Sequence, residues 1–192
     1  MKRVGVLSLQ GDFAAHGAAF ERAGAEVVYV RHAAELADLD GLVIPGGEST
    51  TMLKLLRYDC LMAPLKEFAA RKPVFGTCAG AILMASEVTA PAQESLGAMD
   101  MAVERNGYGR QVDSRVTLIE ADAEFERRTA PGPLEAVFIR APIIRRVGAG
   151  SNVLARYRGD PVLVEQGPHL AATFHPELTG DARVHRLFLD KL

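Results

Sequence analysis

The chain has 192 residues, 48% of them hydrophobic, and a formal net charge of −2 at pH 7. That is the size of one domain, here residues 1–192, with enough apolar content for a packed core, so a disordered chain is excluded. No stretch approaches the ~18 apolar residues that span a bilayer, and the near-neutral charge gives no case for nucleic acid or an anionic membrane.

In chain order, Val4 to Leu9 reads as a buried strand and Phe13 to Ala23 as a helix closed by Gly24. Glu26 to Val30 and Leu42 to Ile44 read as strands, Thr50 to Arg57 and Pro64 to Ala70 as helices. Pro73 to Thr77 is a fourth strand, followed by a helix from Ala79 to about Glu87. This alternation predicts an α/β fold: three layers, with a mostly parallel central sheet and helices on both faces. The second half is richer in strands, at Met101 to Glu104, Val116 to Ile119, Ala136 to Ile139, Val153 to Tyr157, Val162 to Glu165 and Leu170 to Phe174. These are the antiparallel additions, with Arg158-Gly159-Asp160-Pro161 as a hairpin turn. Asp181 to Leu192 closes the chain as an amphipathic helix, with Val184, Leu187, Phe188 and Leu192 on one face.

The sharpest local signal is Gly76-Thr77-Cys78-Ala79-Gly80, after an apolar strand and opening a helix. It has the form of a nucleophile elbow with cysteine as the nucleophile. A strained turn lifts the side chain above the sheet, a helix N-terminus favours thiolate, and the Ala79 amide lies where an oxyanion forms. The bland alternative is a buried structural cysteine. Cys60 has no such setting and reads as core or surface.

A thiolate needs a proton carrier. Of the five histidines, His175 ends a strand in Phe174-His175-Pro176-Glu177. Residues i and i+2 of an extended chain point the same way, so Glu177 can orient the imidazole. Pro45-Gly46-Gly47-Glu48-Ser49-Thr50 follows another strand. Its glycines can present a second oxyanion donor, or the stretch is an ordinary turn capped by Ser49 or Thr50. It is neither a P-loop nor a dinucleotide fingerprint. No metal-binding spacing is present, so neither metal nor cofactor is expected. Arg127-Arg128 and Arg140 to Arg146 read as solvated or partner-facing surface. Two cysteines are too few for a disulfide scaffold, and the short apolar start has no cleavage site, which points to a reduced, cytoplasmic chain.

Together these motifs resemble the class I glutamine amidotransferases, flavodoxin-like in fold. Within that class the chain is similar to the glutaminase subunits of pyridoxal 5′-phosphate synthases. The matching segments run nearly end to end: Gly5 to Leu7 through Leu9-Gln10-Gly11, Pro45 to Thr51, Gly76 to Gly80, Glu104 to Ser114, Phe138 to Pro142 and Phe174 to Thr179.

The resemblance implies that Cys78 attacks the side-chain amide of L-glutamine to form a glutamyl thioester, that His175 moves the protons, and that Glu177 orients His175. It implies a glutamine site lined by Gly47, Glu48, Ser49, Arg105, Ile139 and Arg140, an oxyanion hole from Gly47 and Ala79, and Gln10 near an ammonia exit. The implied partner is a barrel-type synthase subunit in a hetero-oligomer. Two other readings share much of the pattern. One is a free-standing cysteine hydrolase on the same fold, the other a binding module with a decayed site.

Overall fold

The computed structural model describes residues 1–106 and 115–192. The middle of the Glu104 to Ser114 motif, residues 107–114, lies outside the described residues.

The chain opens with β1 (Arg3–Leu7), α1 (Phe13–Arg22), β2 (Glu26–Val30), β3 (Gly41–Ile44), α2 (Ser49–Tyr58), α3 (Met62–Ala69), β4 (Val74–Thr77) and α4 (Ala79–Met84). It continues with β5 (Ala85–Thr89), β6 (Met99–Glu104), β7 (Arg115–Ile119), α5 (Ala123–Arg128), β8 (Leu134–Phe138) and β9 (Ile143–Val147). β10 (Ser151–Tyr157), β11 (Asp160–Gln166), β12 (His169–Ala172) and α6 (Arg183–Leu189) complete it, with short 3₁₀ turns at Ala33–Leu36 and Pro176–Leu178.

The main sheet has seven strands in the order β10-β11-β12-β4-β3-β1-β2. Its β2, β1, β3, β4 and β12 are parallel neighbours. β11 and β10 add an antiparallel edge. Alternation along the buried strands sends side chains to both faces. Leu42 and Ile44 join Met52, Leu56, Leu65 and Leu83 on one face. Val43 joins Phe20, Val184, Leu187 and Phe188 on the other. The result is a three-layer α/β sandwich, with α2, α3 and α4 on one side and α1 and α6 on the other. Among the described residues no helix is long and apolar enough to cross a membrane.

Three sequence expectations need correction. The helix after Cys78 stops at Met84 rather than near Glu87. Ala85 turns extended, and Ser86, Val88 and Thr89 enter strand β5 beside β6. The β-branched residues there fit a pleated surface better than a helix. Second, α5 was not anticipated, although Asp122 caps it by accepting from the Glu124 amide at 2.9 Å. The run from Arg140 to Arg146 keeps its arginines on the surface, as expected, although it contains most of β9, which pairs with β6. There Arg145 and Arg146 form ion pairs with Glu104 and Asp100 on the neighbouring strand. Third, the β10–β11 turn is tighter than the four-residue stretch, since Tyr157 pairs with Asp160 and only Arg158 and Gly159 form the loop, both at positive φ. Such a two-residue turn matches the twist of the strands it joins.

Candidate active site

Parallel strands β1, β3, β4 and β12 deliver their C-terminal ends to one rim of the sheet, and the candidate site is built there. β4 runs into Cys78, whose backbone sits at φ 48°, ψ −106°. A non-glycine residue seldom adopts this conformation. It is held from both sides: the Cys78 amide donates to the Ala172 carbonyl at 2.8 Å, and its own carbonyl accepts from Ile82 at 3.2 Å.

His175 follows β12 and is buried. Its Nδ1 lies 2.7 Å from Glu177 Oε1, the imidazole donating and the carboxylate accepting. Pro176–Leu178 forms a 3₁₀ turn, so the contact is not made by an extended chain as the i, i+2 spacing suggested. The turn curls Glu177 back beneath the ring instead. Burial disfavours charge on His175, but bonding to the Cys78 and Glu177 side chains outweighs it and pushes the pKa up to about 10. His175 is therefore an imidazolium at neutral pH, with a hydrogen-bonded sulfur on one side and a buried carboxylate on the other.

The loop after β3 closes over this pair. A Cβ on Gly46 would stand 2.4 Å from His175 Cε1 and 3.3 Å from Cys78 Cβ, so only glycine allows this approach. A Cβ on Gly11, at φ 82°, would stand 1.8 Å from the Gly46 carbonyl oxygen. That carbonyl therefore faces the β1–α1 loop, and a trans peptide sends the Gly47 N–H the opposite way. Neither Ser49 nor Thr50 caps α2. Glu48 does, accepting from the Thr50 and Thr51 amides at 3.0 and 2.7 Å. Partial burial opposes its charge, yet the hydrogen bonds from Thr50 and Thr51 hold its carboxyl at about 2. Gln10 clamps the same residue, donating to the Glu48 carbonyl at 3.0 Å and accepting from the Glu48 amide at 3.4 Å.

Gly47, Glu48, Ser49, Cys78, Arg105, Ile139, Arg140 and His175 line one cavity of about 270 Å³. That volume suits a small polar molecule. Arg105 bonds Thr50 Oγ1 at 2.7 Å and lies 3.6 Å from Glu48 Oε1, while its Nε is buried without a hydrogen-bond partner among the described residues. Arg140 takes a positive φ of 44° at the mouth. Ala79 is buried in the first turn of α4, and Cys60 is exposed and does not line this cavity.

A family model described as the SNO glutamine amidotransferase family matches residues 6–192. The chain belongs to that family. It is 68% identical, over the whole of both chains, to a protein of Solibacter usitatus named pyridoxal 5′-phosphate synthase subunit PdxT. It is 54% identical over 187 residues to the protein of the same name from Koribacter versatilis, covering 97% of this chain and 94% of that one. A crystal structure described as a glutamine amidotransferase superposes with a TM-score of 0.88 at 46% identity, covering 98% and 97% of the two chains.

Sequence reasoning did not find Asp12, Ile82 and Asn106, which also line the cavity. Asp12 offers a carboxylate oxygen within 4.8 Å of ligand atoms on His175 and Glu177, a spacing that could hold a metal ion. Because His175 and Glu177 already bond each other, the set reads as a hydrogen-bonded pair with Asp12 at its edge. Also missed was a polar group behind Glu177. His16 on α1 is buried, with Nε2 3.0 Å from Thr77 Oγ1 and 3.3 Å from Glu177 Oε2, and Nδ1 3.1 Å from His185 Nε2. The available signal was a histidine set within each apolar helix stripe, His16 among Phe13, Gly17 and Phe20, His185 beside Val184 and Phe188.

Proposed function

We propose that the chain hydrolyses L-glutamine to L-glutamate and ammonia through a thioester on Cys78, and passes the ammonia to a synthase subunit that makes pyridoxal 5′-phosphate. The observation that carries this reading is the line Cys78, His175, Glu177 opening into a cavity of amide-sized volume. Cys78 Sγ attacks the substrate's side-chain amide carbon. The imidazolium of His175 protonates the leaving ammonia, and the neutral ring then takes a proton from the water that cleaves the thioester. Glu177 supports the positive ring throughout. The amides of Gly47 and Ala79 stabilise the oxyanion. Arg105, with Glu48, Ser49, Ile139 and Arg140, receives the amino-acid end of glutamine.

Family membership and the names of the similar proteins support the synthase context. In this reading the partner is a barrel-type subunit, the complex is a hetero-oligomer in the cytoplasm, and both cysteines remain thiols. The test uses amide-¹⁵N glutamine, the chain and its cognate synthase subunit, with excess unlabelled ammonium. Labelled product nitrogen is expected from the unsubstituted chain, and none from Cys78→Ala. Turnover by Cys78→Ala would overturn the nucleophile assignment, and unlabelled product would overturn direct transfer of ammonia.

A further inference from the structure

The buried polar group behind Glu177 has no task in the reaction as written above. His16 and Glu177 side chains have no solvent exposure at all, and His185 is buried beside them. A carboxylate in such a place needs donors, because water cannot supply them. Glu177 Oε1 has the His175 N–H. Glu177 Oε2 has no well-aligned hydrogen bond among the described residues. His16 Nε2 lies 3.3 Å from it and also has Thr77 Oγ1 at 3.0 Å. That N–H is aligned on the threonine and meets the carboxylate as a longer, electrostatic contact.

The tautomer follows from the neighbours. Nε2 faces a carboxylate that can only accept, so a proton on Nε2 is favoured and a lone pair there is repelled. Nδ1 then accepts from His185 Nε2–H at 3.1 Å. This leaves His185 Nδ1 as a bare acceptor, in keeping with its lack of a partner among the described residues. The opposite tautomer would bury an unpaired N–H on His185 and set two lone pairs against each other at Glu177. Charge on His16 is suppressed by burial first, and then by His185 and His175. His185 is held neutral by burial and by Arg22, against a weaker pull from Asp181. The remaining walls are the Phe75 ring against both histidines and Phe20 against His185.

We propose that His16 is a positioning residue for catalysis: as a neutral imidazole fixed by His185 and Thr77, it sets its Nε2–H against Glu177 Oε2 and keeps that buried carboxylate aimed at His175. A neutral donor suits the task, because a charged one would compete with His175 for the carboxylate. The inference rests on the Cys78–His175–Glu177 reading.

The experiment measures the pH dependence of Cys78 alkylation by iodoacetamide in the full chain, followed on the Cys78 peptide by mass spectrometry so that exposed Cys60 does not interfere. His16→Leu is expected to shift the acid limb of the profile upward by about one pH unit, the scale of ~1.4 kcal/mol for one lost short-range contact to a charged group. His16→Gln carries an N–H where Nε2 stood and is expected to restore the limb. In the glutaminase assay with the synthase subunit, His16→Leu is expected to lower kcat about tenfold or more with KM little changed. Loss of thermal stability with an unmoved limb would reduce His16 to a packing residue and overturn the proposal. Glu177→Gln separates the two readings: if it leaves the limb in place the triad reading fails, whereas a limb moved by Glu177→Gln but not by His16→Leu sinks this inference alone. Should His16→Leu fail to fold, ¹⁵N shifts of the unsubstituted protein decide. An Nε2-protonated His16 at neutral pH is expected, and an Nδ1-protonated ring would reject the proposal.

Discussion

Cys78 combines a φ of 48° with a ψ of −106° and lies buried between the end of β4 and the first turn of α4. That region suits glycine and strains any residue with a Cβ, at about 1–3 kcal/mol. The strain persists because the elbow's hydrogen bonds to Ala172 and Ile82 over-determine it. Cys78→Gly is therefore expected to abolish glutaminase activity and to raise the unfolding free energy by about 1 kcal/mol, after the added freedom of glycine in the unfolded chain is offset. Urea denaturation reads the difference directly, and a variant no more stable than the parent would show that the backbone is relaxed at Cys78. The sequence pattern alone placed this residue, because glycines two residues either side of a cysteine after an apolar strand leave few conformations open. It placed Glu177 beside His175 as well, but for a geometry the chain does not use. The contact comes from a 3₁₀ turn that begins at Pro176, and spacing alone does not distinguish that turn from an extended segment.

At the scale of elements, the central sheet was readable because its strands are short apolar runs separated by helical patterns. The connections to the site were less so. β5 is contiguous with α4, and Ala85 to Thr89 contains no glycine or proline to mark the switch from helix to strand. The link from Thr77 to His16 spans 61 residues and that from His16 to His185 spans 169, so neither leaves a local trace. Gln10 shows what the assembled elements add to an expectation. The resemblance sets it near an ammonia exit, and its carboxamide, on the β1–α1 loop, also grips both backbone groups of Glu48. Removing it frees the loop that carries Gly47, at φ 141°, and the Glu48 cap. Gln10→Ala is expected to raise KM for glutamine several-fold, on the scale of ~1 kcal/mol for one or two hydrogen bonds, while each ammonia released still reaches product. The check is the ratio of glutamate formed to synthase product. An unchanged KM with excess free ammonia would assign Gln10 to the exit alone.

Across the whole molecule, the two apolar clusters on either face of the sheet enclose histidines whose folded and unfolded protonation differ. His16, His169 and His185 are all depressed below the ordinary value of 6.5, by burial first in each case, and His185 falls to about 4. In the unfolded chain the same groups take up protons as pH drops through about 6.5. Between that value and their folded pKa values the unfolded state binds more protons, so stability rises with pH and is lost on acidification. His175 has the opposite sign. Its pKa is raised to about 10, so its contribution is present below 6.5 and disappears as pH climbs through about 10. The unfolding free energy is thus expected to be greatest near neutrality and to fall below pH 6.5 by on the order of 1 kcal/mol per pH unit for each histidine still neutral in the fold. Carboxylates complicate the lowest pH, since Glu48 titrates at about 2 and Asp181 and Glu165 are also depressed, so the informative window is pH 5 to 7. Urea midpoints across that window measure the slope. His185→Phe removes one proton acceptor from the unfolded chain while keeping an aromatic ring against Phe20, and it should flatten the slope by about one histidine's share. A midpoint independent of pH in the parent would mean that these rings take up protons inside the fold, and a slope unchanged by His185→Phe would take His185 out of the group that sets the acid limit.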